Sequence, residues 1–223
     1  MQETGERVAA PLAINKKMRE AFAMLRVLGR GTSGNVQKVV WLLEELGTPY
    51  QREDYGRQFN NTQDAAYLGL NPNGKVPTLV DGDTVIWESN TILRYLCNKA
   101  GNTSFYPTDP AARSKVERWM DWQLSALNNS YLGIFKEAKK PAAERAASWA
   151  TDSKELTAQL EILEKALTSQ PWLGGKELSL AEFSLGPIVI RCLAFPLDLP
   201  ALPKLKDWCD RLQARPAFKK VTG

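Results

Sequence analysis

Histidine is absent from the 223 residues of the chain, and this absence excludes several kinds of active site. Nucleophile systems of the Ser-His-Asp or Cys-His type cannot form without the imidazole base. Zinc, copper, non-haem iron and haem sites that rely on imidazole ligands are excluded for the same reason. The usual general acid or base near neutral pH is also missing. Any chemistry must therefore come from hydroxyls, amides, carboxylates, lysines, the backbone or a group that the ligand brings.

Cysteine is scarce, because the chain has only Cys97, Cys192 and Cys209, which are far apart and form no CxxC pair. This pattern argues against a disulfide framework or a zinc site, and it favours a reducing, cytoplasmic compartment. No apolar run approaches the roughly 18 residues of a membrane-spanning helix, so we expect no membrane association. The net charge of +4 is small and the basic residues are interspersed with acids, so no nucleic-acid partner is expected.

The remaining composition is that of a globular protein, with 43% hydrophobic and 24% charged residues. The folded part is predicted to begin at Met24, directly before a short strand. Residues 1–23 are then an N-terminal extension, either a disordered tail or an artefact of how the start was assigned.

Residues 24–100 show strand and helix patterns in the order β-α-β-α-β-β-α. The first helix carries apolar residues on one face at helical spacing and has Gly47 as its stop. A strand-helix-strand unit implies a right-handed parallel crossover, and a hairpin turn at Asp81-Gly82-Asp83 makes the sheet mixed. The strands are predicted at 25–28, 50–54, 76–80 and 84–87, and the helices at 35–46, 63–70 and 89–99.

Residues 101–108 are predicted to be a linker, and residues 109–223 contain only helical patterns. Three helix starts carry capping or N1 signals, namely Asp109-Pro110, Pro141, and Ser179 with Glu182 in capping-box spacing. The helices are predicted at about 109–139, 141–169, 179–194 and 204–214, the last being stopped by Arg215-Pro216. The sequence thus predicts an α/β N-terminal domain with a mixed four-stranded sheet, followed by an all-α C-terminal domain.

The loop between the first strand and the first helix places Thr32, Ser33 and Asn35 at a helix N-terminus. This end has unpaired N–H groups and a positive dipole, so it stabilises anions. With an added hydrogen bond from a hydroxyl or amide, it could lower the pKa of a bound thiol from about 8.5 to near neutrality. Taken alone, the loop favours the simpler interpretation that Ser33 only caps the helix.

Two further segments precede a strand and a helix. Val76-Pro77 begins a strand, where a trans bond is the simplest expectation and a cis bond would expose the backbone of Val76 to a peptide-like ligand. Ser89 is a good N-cap, and its helix end could bind a ligand carboxylate while Glu88 accepts from a ligand ammonium. Capping alone explains Ser89 at least as well when this motif is taken by itself.

The three segments in this order resemble the cytosolic glutathione S-transferase superfamily. The motifs are SxNxxK at the first helix, NPNGKVPTL before a strand and ESN before the next helix, all preceding a helical half. The resemblance extends from about Met24 to the C-terminus and includes SLAEFSLGP, in which Glu182 stands where Asp is more usual, and LPKLKDWCDRLQARPAF. Ser33 and Asn35 resemble the bacterial Ser/Thr-x-Asn type, close to the disulfide-reductase (fungal nitrogen-regulator-like) and theta/nu-like branch.

The resemblance implies a thioredoxin-like glutathione-binding domain at 24–100 and a helical domain that supplies much of the electrophile pocket. Ser33 and Asn35 are the implied catalytic residues. The implied glutathione contacts are Thr32, Gln58, Lys75, Val76, Pro77, Glu88 and Ser89, with a cis bond before Pro77. No metal and no permanently bound cofactor are implied, since glutathione is a co-substrate. A cytoplasmic homodimer with a role in detoxification is also implied.

Departures from other classes narrow the assignment. No cysteine lies near Ser33, no tyrosine occupies the first loop, and the SSCxxxR pattern of the zeta class is missing. Three functions remain open: a transferase acting on a small hydrophobic electrophile, which is preferred, a glutathione-dependent disulfide reductase or peroxidase, and a non-catalytic glutathione-binding or interaction module. The helical half offers aromatic pocket candidates that could equally belong to the core, namely Trp119, Trp122, Tyr131, Phe135 and Phe195.

Overall fold

A mixed four-stranded sheet forms the centre of the N-terminal half of the molecule. This computed structural model describes residues 24–222, so the predicted extension at 1–23 lies outside the described residues. Its strands are β1 (Leu25–Leu28), β2 (Tyr50–Glu53), β3 (Thr78–Asp81) and β4 (Thr84–Trp87). Strand β2 runs parallel to β1, whereas β3 is antiparallel to both β1 and β4, in the sheet order β2-β1-β3-β4. The predicted mixed sheet is confirmed.

Three helices alternate with these strands, as the sequence predicts. The buried side of the first helix, α1 (Gly34–Leu46), carries valines and leucines at helical spacing, and the helix ends where Gly47 adopts a left-handed conformation with φ of 61°. This conformation is accessible to glycine at little cost because glycine has no Cβ. The helices are α1 (Gly34–Leu46), α2 (Ala65–Leu68) and α3 (Ser89–Ala100).

The second half of the chain is helical, which confirms the predicted fold class. Asp109 caps the first of these helices by accepting a hydrogen bond from the Ala112 N–H at 2.8 Å. The helices are α4 (Pro110–Trp122), α5 (Asn128–Glu137), α6 (Trp149–Ala166), α7 (Leu180–Leu193), α8 (Pro203–Ala214) and α9 (Pro216–Thr222), and a π-helical turn (Gln123–Leu127) joins α4 to α5. Between residues 24 and 222, no helix has the length and apolar character needed to cross a membrane.

Several predicted boundaries are wrong. The helix predicted at 109–139 is interrupted by the π-helical turn, and β3 begins two residues later than predicted. Pro141 opens only a short 3-10 turn, because the Glu137 carboxylate accepts from Lys140 Nζ and from the Ala146 N–H, each at 2.8 Å, and holds this segment as a loop. Arg215-Pro216 does end α8, but Pro216 then opens α9 as its first residue, where proline is well tolerated.

The two halves pack against each other through α1, α3 and α7. The Trp41 ring of α1 lies 4.2 Å from the Phe183 ring of α7 and 4.8 Å from the Phe218 ring, measured between centroids. Asn90 of α3 donates to the Met120 carbonyl and accepts from Ser184 Oγ, each at 2.9 Å. These contacts fix α7 beside the N-terminus of α1, and therefore beside the loop that carries Ser33.

Candidate active site

A cavity of about 270 Å³ opens where the N-terminus of α1, the loop before β3 and the helical half meet. Ser33 and Asn35 line it from the first loop and α1, and Val76 lines it from the loop before β3. Tyr131 and Phe135 of α5 form part of its opposite wall. The cavity therefore brings the two predicted catalytic residues together with part of the predicted glutathione-binding set.

The Ser33 side chain is available to a ligand. Ser33 is the N-cap of α1, with an extended backbone at φ −81° and ψ 123°, but its side chain makes no capping hydrogen bond. The residue is 8% exposed, and its backbone carbonyl accepts the first helical hydrogen bond from the Gln37 N–H at 2.9 Å. The interpretation that the Ser33 hydroxyl only caps the helix is therefore wrong. Ser33 lines the cavity, and its hydroxyl has no protein partner among the described residues.

The loop before β3 presents a peptide group in a fixed position. The bond between Val76 and Pro77 is cis, as the resemblance implies and contrary to the simpler trans expectation. The Lys75 carbonyl accepts from Tyr67 Oη at 2.7 Å and from Asn71 Nδ2 at 2.8 Å, so the loop is anchored. Among residues 24–222, the Val76 N–H and carbonyl have no hydrogen-bond partner, which leaves both groups free to pair with an extended peptide.

The ESN segment differs from its prediction. Glu88, not Ser89, is the N-cap of α3, so the prediction that Ser89 caps this helix is wrong. Glu88 has φ of 69°, a conformation that is rare and costly for a residue with a side chain and that recurs at ligand-binding sites. This turn leaves the Glu88 side chain exposed and makes Ser89 a buried first helical residue.

The structure does not bring all predicted ligand contacts to the one cavity. Lys75 and Val76 line it together with Ser33 and Asn35, whereas Thr32 and Gln58 line a neighbouring cavity of about 490 Å³. The two cavities share Arg30 in their walls. Pro77, Glu88 and Ser89 line neither cavity. The predicted contacts are therefore divided between two neighbouring cavities and three residues that line neither of them.

Three arginines that were not predicted from the sequence also line the cavity of Ser33 and Asn35, which we call the main cavity, namely Arg30, Arg57 and Arg191. Arg191 of α7 reaches across the boundary between the halves and donates to the Thr32 carbonyl at 2.8 Å and to Gln37 Oε1 at 2.7 Å. Arg30 lies two residues before the predicted Thr32, and Arg57 directly precedes the predicted Gln58. Their positions in these loops could therefore have indicated both arginines. Nothing in the sequence indicated Arg191, since its place depends on how α7 packs on α1.

The cavity is electropositive. Burial lowers the pKa of Arg30, and the nearby positive charges of Arg57 and Arg191 lower it further. Burial raises the pKa of the Tyr131 phenol, while Arg191 opposes this shift. Neither aspartate nor glutamate is among the described residues that line the cavity. The site is therefore suited to an anion, such as a thiolate or a carboxylate.

Of the predicted aromatic pocket residues, only Tyr131 and Phe135 line the cavity. Their rings stack with centroids 5.6 Å apart, and Phe195 packs 6.0 Å from Tyr131 behind them. Trp119 and Trp122 instead contact each other in an edge-on pair, and the structure does not place them in the cavity wall. The apolar wall is therefore a short aromatic cluster on α5.

The three cysteines are buried in helices. Burial raises the pKa of Cys97 and of Cys209 to about 12, and burial also raises the pKa of Cys192. We expect the native protein to react very slowly with 5,5′-dithiobis(2-nitrobenzoate), because the thiolate is the reactive form. Absorbance at saturation should report three thiols after denaturation. Rapid reaction of one thiol in the folded protein would contradict the buried placement.

Comparison with known proteins identifies the family. Residues 32–99 match the glutathione S-transferase N-terminal domain, and residues 144–211 match the glutathione S-transferase C-terminal domain. The chain is 36% identical over 202 residues to glutathione S-transferase GstB of Escherichia coli strain K12, covering 89% of this chain and 97% of that protein. It is 30% identical over 196 residues to the disulfide-bond oxidoreductase YfcG of the same strain, covering 82% of this chain and 87% of that protein.

Solved structures give the same result. The theta class glutathione S-transferase of Xanthomonas axonopodis pv. citri, determined with glutathione bound, superposes with a TM-score of 0.83 at 37% sequence identity. The match covers 88% of this chain and 95% of that one. The mixed sheet, the helical half and the motifs around the cavity agree with these similarities, and the chain belongs to the glutathione S-transferase family.

Proposed function

We propose that this glutathione transferase binds glutathione across the cavity at Ser33 and the neighbouring cavity at Gln58, and that Ser33 and Asn35 stabilise the glutathione thiolate. The thiolate then attacks a small electrophile held against the aromatic wall of α5. The observation that carries this proposal is that Ser33 lines the cavity at a helix N-terminus while its hydroxyl is not used for capping. The protein supplies position and electrostatics, while glutathione supplies the nucleophile.

The magnitudes are sufficient without a histidine. A free thiol has a pKa of about 8.5, and each unit of lowering requires about 1.4 kcal/mol of preference for the anion. A helix N-terminus contributes up to about 1 kcal/mol. A hydrogen bond to a charged group contributes roughly 1.5–3 kcal/mol. Ser33 or Asn35 together with the α1 N-terminus therefore suffices to hold a thiolate near neutral pH.

The remaining predicted contacts complete the proposed binding mode. We propose that the unpaired backbone groups of Val76 bind the cysteinyl part of glutathione, next to Pro77. Gln58 and Lys75 bind its glycine end, and Glu88 and Ser89 hold its γ-glutamyl end. Thr32 adjoins the sulfur position through the first loop. The anchored Lys75 carbonyl and the free Val76 peptide groups support the proposed backbone contact at Val76.

Replacement of Ser33 by alanine is expected to raise the pKa of bound glutathione by about one to two units if its hydroxyl donates to the sulfur. The same change at Asn35 tests the amide. The thiolate absorbance in the ultraviolet, titrated against pH with saturating glutathione, measures the shift directly. Ser169→Ala, which removes an exposed hydroxyl outside both cavities, is the matched control. Unchanged titration in both site variants would refute the assignment.

Disulfide reduction is the second candidate function. The 30% identity to the disulfide-bond oxidoreductase YfcG favours it, and the burial of all three cysteines means that glutathione would supply both thiols. Turnover of bis(2-hydroxyethyl) disulfide with glutathione, compared with turnover of 1-chloro-2,4-dinitrobenzene, separates the two activities. A higher kcat/KM for the disulfide would make reduction the principal activity.

We also propose that the protein works as a homodimer in the cytoplasm and detoxifies small electrophiles. Exposed apolar side chains in the N-terminal half, including Phe59 and Trp87, support an interface with a second copy. Reduced, buried cysteines are compatible with a reducing compartment. Sedimentation equilibrium measures the mass in solution, and a mass equal to that of one chain at micromolar concentration would refute the dimer.

A further inference from the structure

The three arginines of the main cavity form a cluster without acidic partners, and we define this arginine cluster as Arg30, Arg57 and Arg191. None of the ion pairs within residues 24–222 includes any of the three. Arg30 Nε is buried without a hydrogen-bond partner in the described part of the chain. Like charges that converge in a partly buried wall destabilise the empty site, so an anion bound there would relieve both costs.

Arg191 is not among the residues proposed to bind the two ends of glutathione. Its Nη1 atom lies 3.5 Å from the point that a Cβ of Gly34 would occupy, between the two residues proposed to hold the sulfur. The carboxylates of glutathione lie at the two ends of the tripeptide, which are proposed to contact Gln58 and Lys75 at one end and Ser89 at the other. Arg191 therefore lines the cavity beside the first turn of α1, and no carboxylate of glutathione is assigned to it.

The other two arginines of the cluster line the same cavity. Arg57 lies over the Phe135 ring, with its guanidinium carbon 5.0 Å from the ring centroid. Arg30 Nη1 lies 3.0 Å from the point that a Cβ of Gly56 would occupy, so it packs beside the segment that carries Arg57. A molecule lying on the aromatic wall would thus meet a guanidinium at the α1 end and another above Phe135.

We propose that the second substrate carries a carboxylate, which Arg191 binds beside the glutathione sulfur with Arg57 at the aromatic wall. This inference rests on the proposed function, because it assumes that glutathione occupies the cavity at Ser33. A carboxylate suits guanidinium groups because it accepts two parallel hydrogen bonds.

A matched pair of aryl chlorides tests the proposal. With 4-chloro-3,5-dinitrobenzoate or its neutral carboxamide, the glutathione sulfur forms a bond to the ring carbon that bears chlorine. Chloride leaves with the bonding electrons and the thiol proton passes to solvent, so no atom is oxidised overall. We define the carboxylate preference as the ratio of the two kcat/KM values, each divided by the uncatalysed rate constant of the same compound at saturating glutathione.

We expect a carboxylate preference of at least about tenfold in the natural protein, from one charge-assisted hydrogen bond. Arg191→Gln should reduce this preference to near one, and Arg191→Lys should retain part of it. The ratio cancels any general damage to the first loop, because such damage lowers both rates. The matched control is Arg211→Gln, since Arg211 also donates to a backbone carbonyl, that of Pro171 at 2.7 Å, but lies outside the main cavity.

The carboxylate could also belong to a disulfide substrate. A second arm of the experiment, with a pair of disulfides, distinguishes a disulfide from an aryl chloride as the substrate that carries it. Neutral bis(2-hydroxyethyl) disulfide is compared with the dianionic 3,3′-dithiodipropionate. One glutathione thiolate attacks a sulfur and expels the other half as a thiolate, and a second glutathione releases the remaining half as oxidised glutathione forms. An Arg191-dependent preference in the first arm assigns the carboxylate to the electrophile, and one in the second arm assigns it to the disulfide.

Three results would overturn the proposal. The absence of a carboxylate preference in both arms would do so, and the proposed function would stand if the neutral compounds are turned over. A preference that survives Arg191→Gln would remove Arg191 from the site. Loss of the glutathione thiolate titration in Arg191→Gln, with the preference intact, would assign the guanidinium to the thiolate instead. If no compound in either arm is turned over, the proposed function itself fails.

Discussion

Replacement of Glu182 by alanine is expected to lower the free energy of unfolding by about 3–5 kcal/mol. The carboxylate is fully buried and accepts hydrogen bonds from the Ser179 N–H and Oγ, each at 2.9 Å, and from the Leu173 N–H at 2.5 Å. Alanine would leave these buried donors without an acceptor and would open a cavity beneath the start of α7. Urea denaturation at fixed protein concentration measures the loss.

The desolvation of Glu182 opposes this effect but does not cancel it. Burial raises the pKa of this carboxyl, while the hydrogen bonds from Ser179 and Leu173 lower it. The net contribution of the intact carboxylate is therefore smaller than the sum of its hydrogen bonds. Removing only one side of a buried polar cluster is costly, because the desolvated partners remain without compensation.

Two further variants make the Glu182 prediction specific. Glu182→Asp introduces the aspartate that is more usual at this position in the family. The shorter side chain keeps the carboxylate but reaches less far by one methylene, so we expect a smaller loss of unfolding free energy. Glu177→Ala removes an exposed carboxylate from the same loop and should change stability by no more than about 0.5 kcal/mol. Equal effects of Glu182→Ala and Glu177→Ala would show that water replaces the buried carboxylate.

The fold was predictable wherever a local signal acts alone. Gly47 ends α1 because its left-handed conformation needs no neighbour from elsewhere in the chain. Asp109 accepts from a backbone N–H within its own first turn, and Ser179 with Glu182 forms the predicted capping box. These interactions span three residues or fewer, so the spacing of residue types in the sequence is sufficient to find them.

The predictions failed where a distant or competing contact decides the structure. Pro141 is a good helix opener, yet the Glu137 carboxylate stabilises a loop around it. Pro216 could equally end one helix or open the next, and packing of Phe218 on Trp41 favours the second outcome. Among the site residues, Ser33 and Val76 were found through motifs, whereas Arg191 lies 159 residues from the Thr32 carbonyl that it contacts.

The burial of Lys38 was also beyond prediction from the sequence, and it has a large expected effect on stability. Lys38 lies on α1 with no exposed surface, and its Nζ donates to Gln123 Oε1, in the π-helical turn, at 2.8 Å. Burial lowers the pKa of Lys38 to about 7, and the negative charge of Glu88 partly opposes this shift. The amine is therefore expected to lose its proton near neutral pH in the folded protein.

The free energy of unfolding is expected to rise with pH through this lysine. In the unfolded chain the amine has a pKa of about 10.4, so between that value and about 7 the unfolded state holds a proton that the folded state has lost. Unfolding then takes up a proton, and a higher pH disfavours it by about 1.4 kcal/mol per unit. Relative to Lys38→Met, the natural protein should gain about 3 kcal/mol between pH 6 and pH 9.

Urea denaturation of both proteins at pH 6 and pH 9, at one fixed concentration, isolates this contribution because all other titrating groups are shared. Lys154→Met, which replaces an exposed lysine on α6, is the matched control and should show no change in the difference between the two pH values. Loss of the Gln123 hydrogen bond lowers the stability of Lys38→Met by the same amount at both pH values. A constant difference between Lys38→Met and the natural protein would therefore mean that the buried amine stays charged over this pH range.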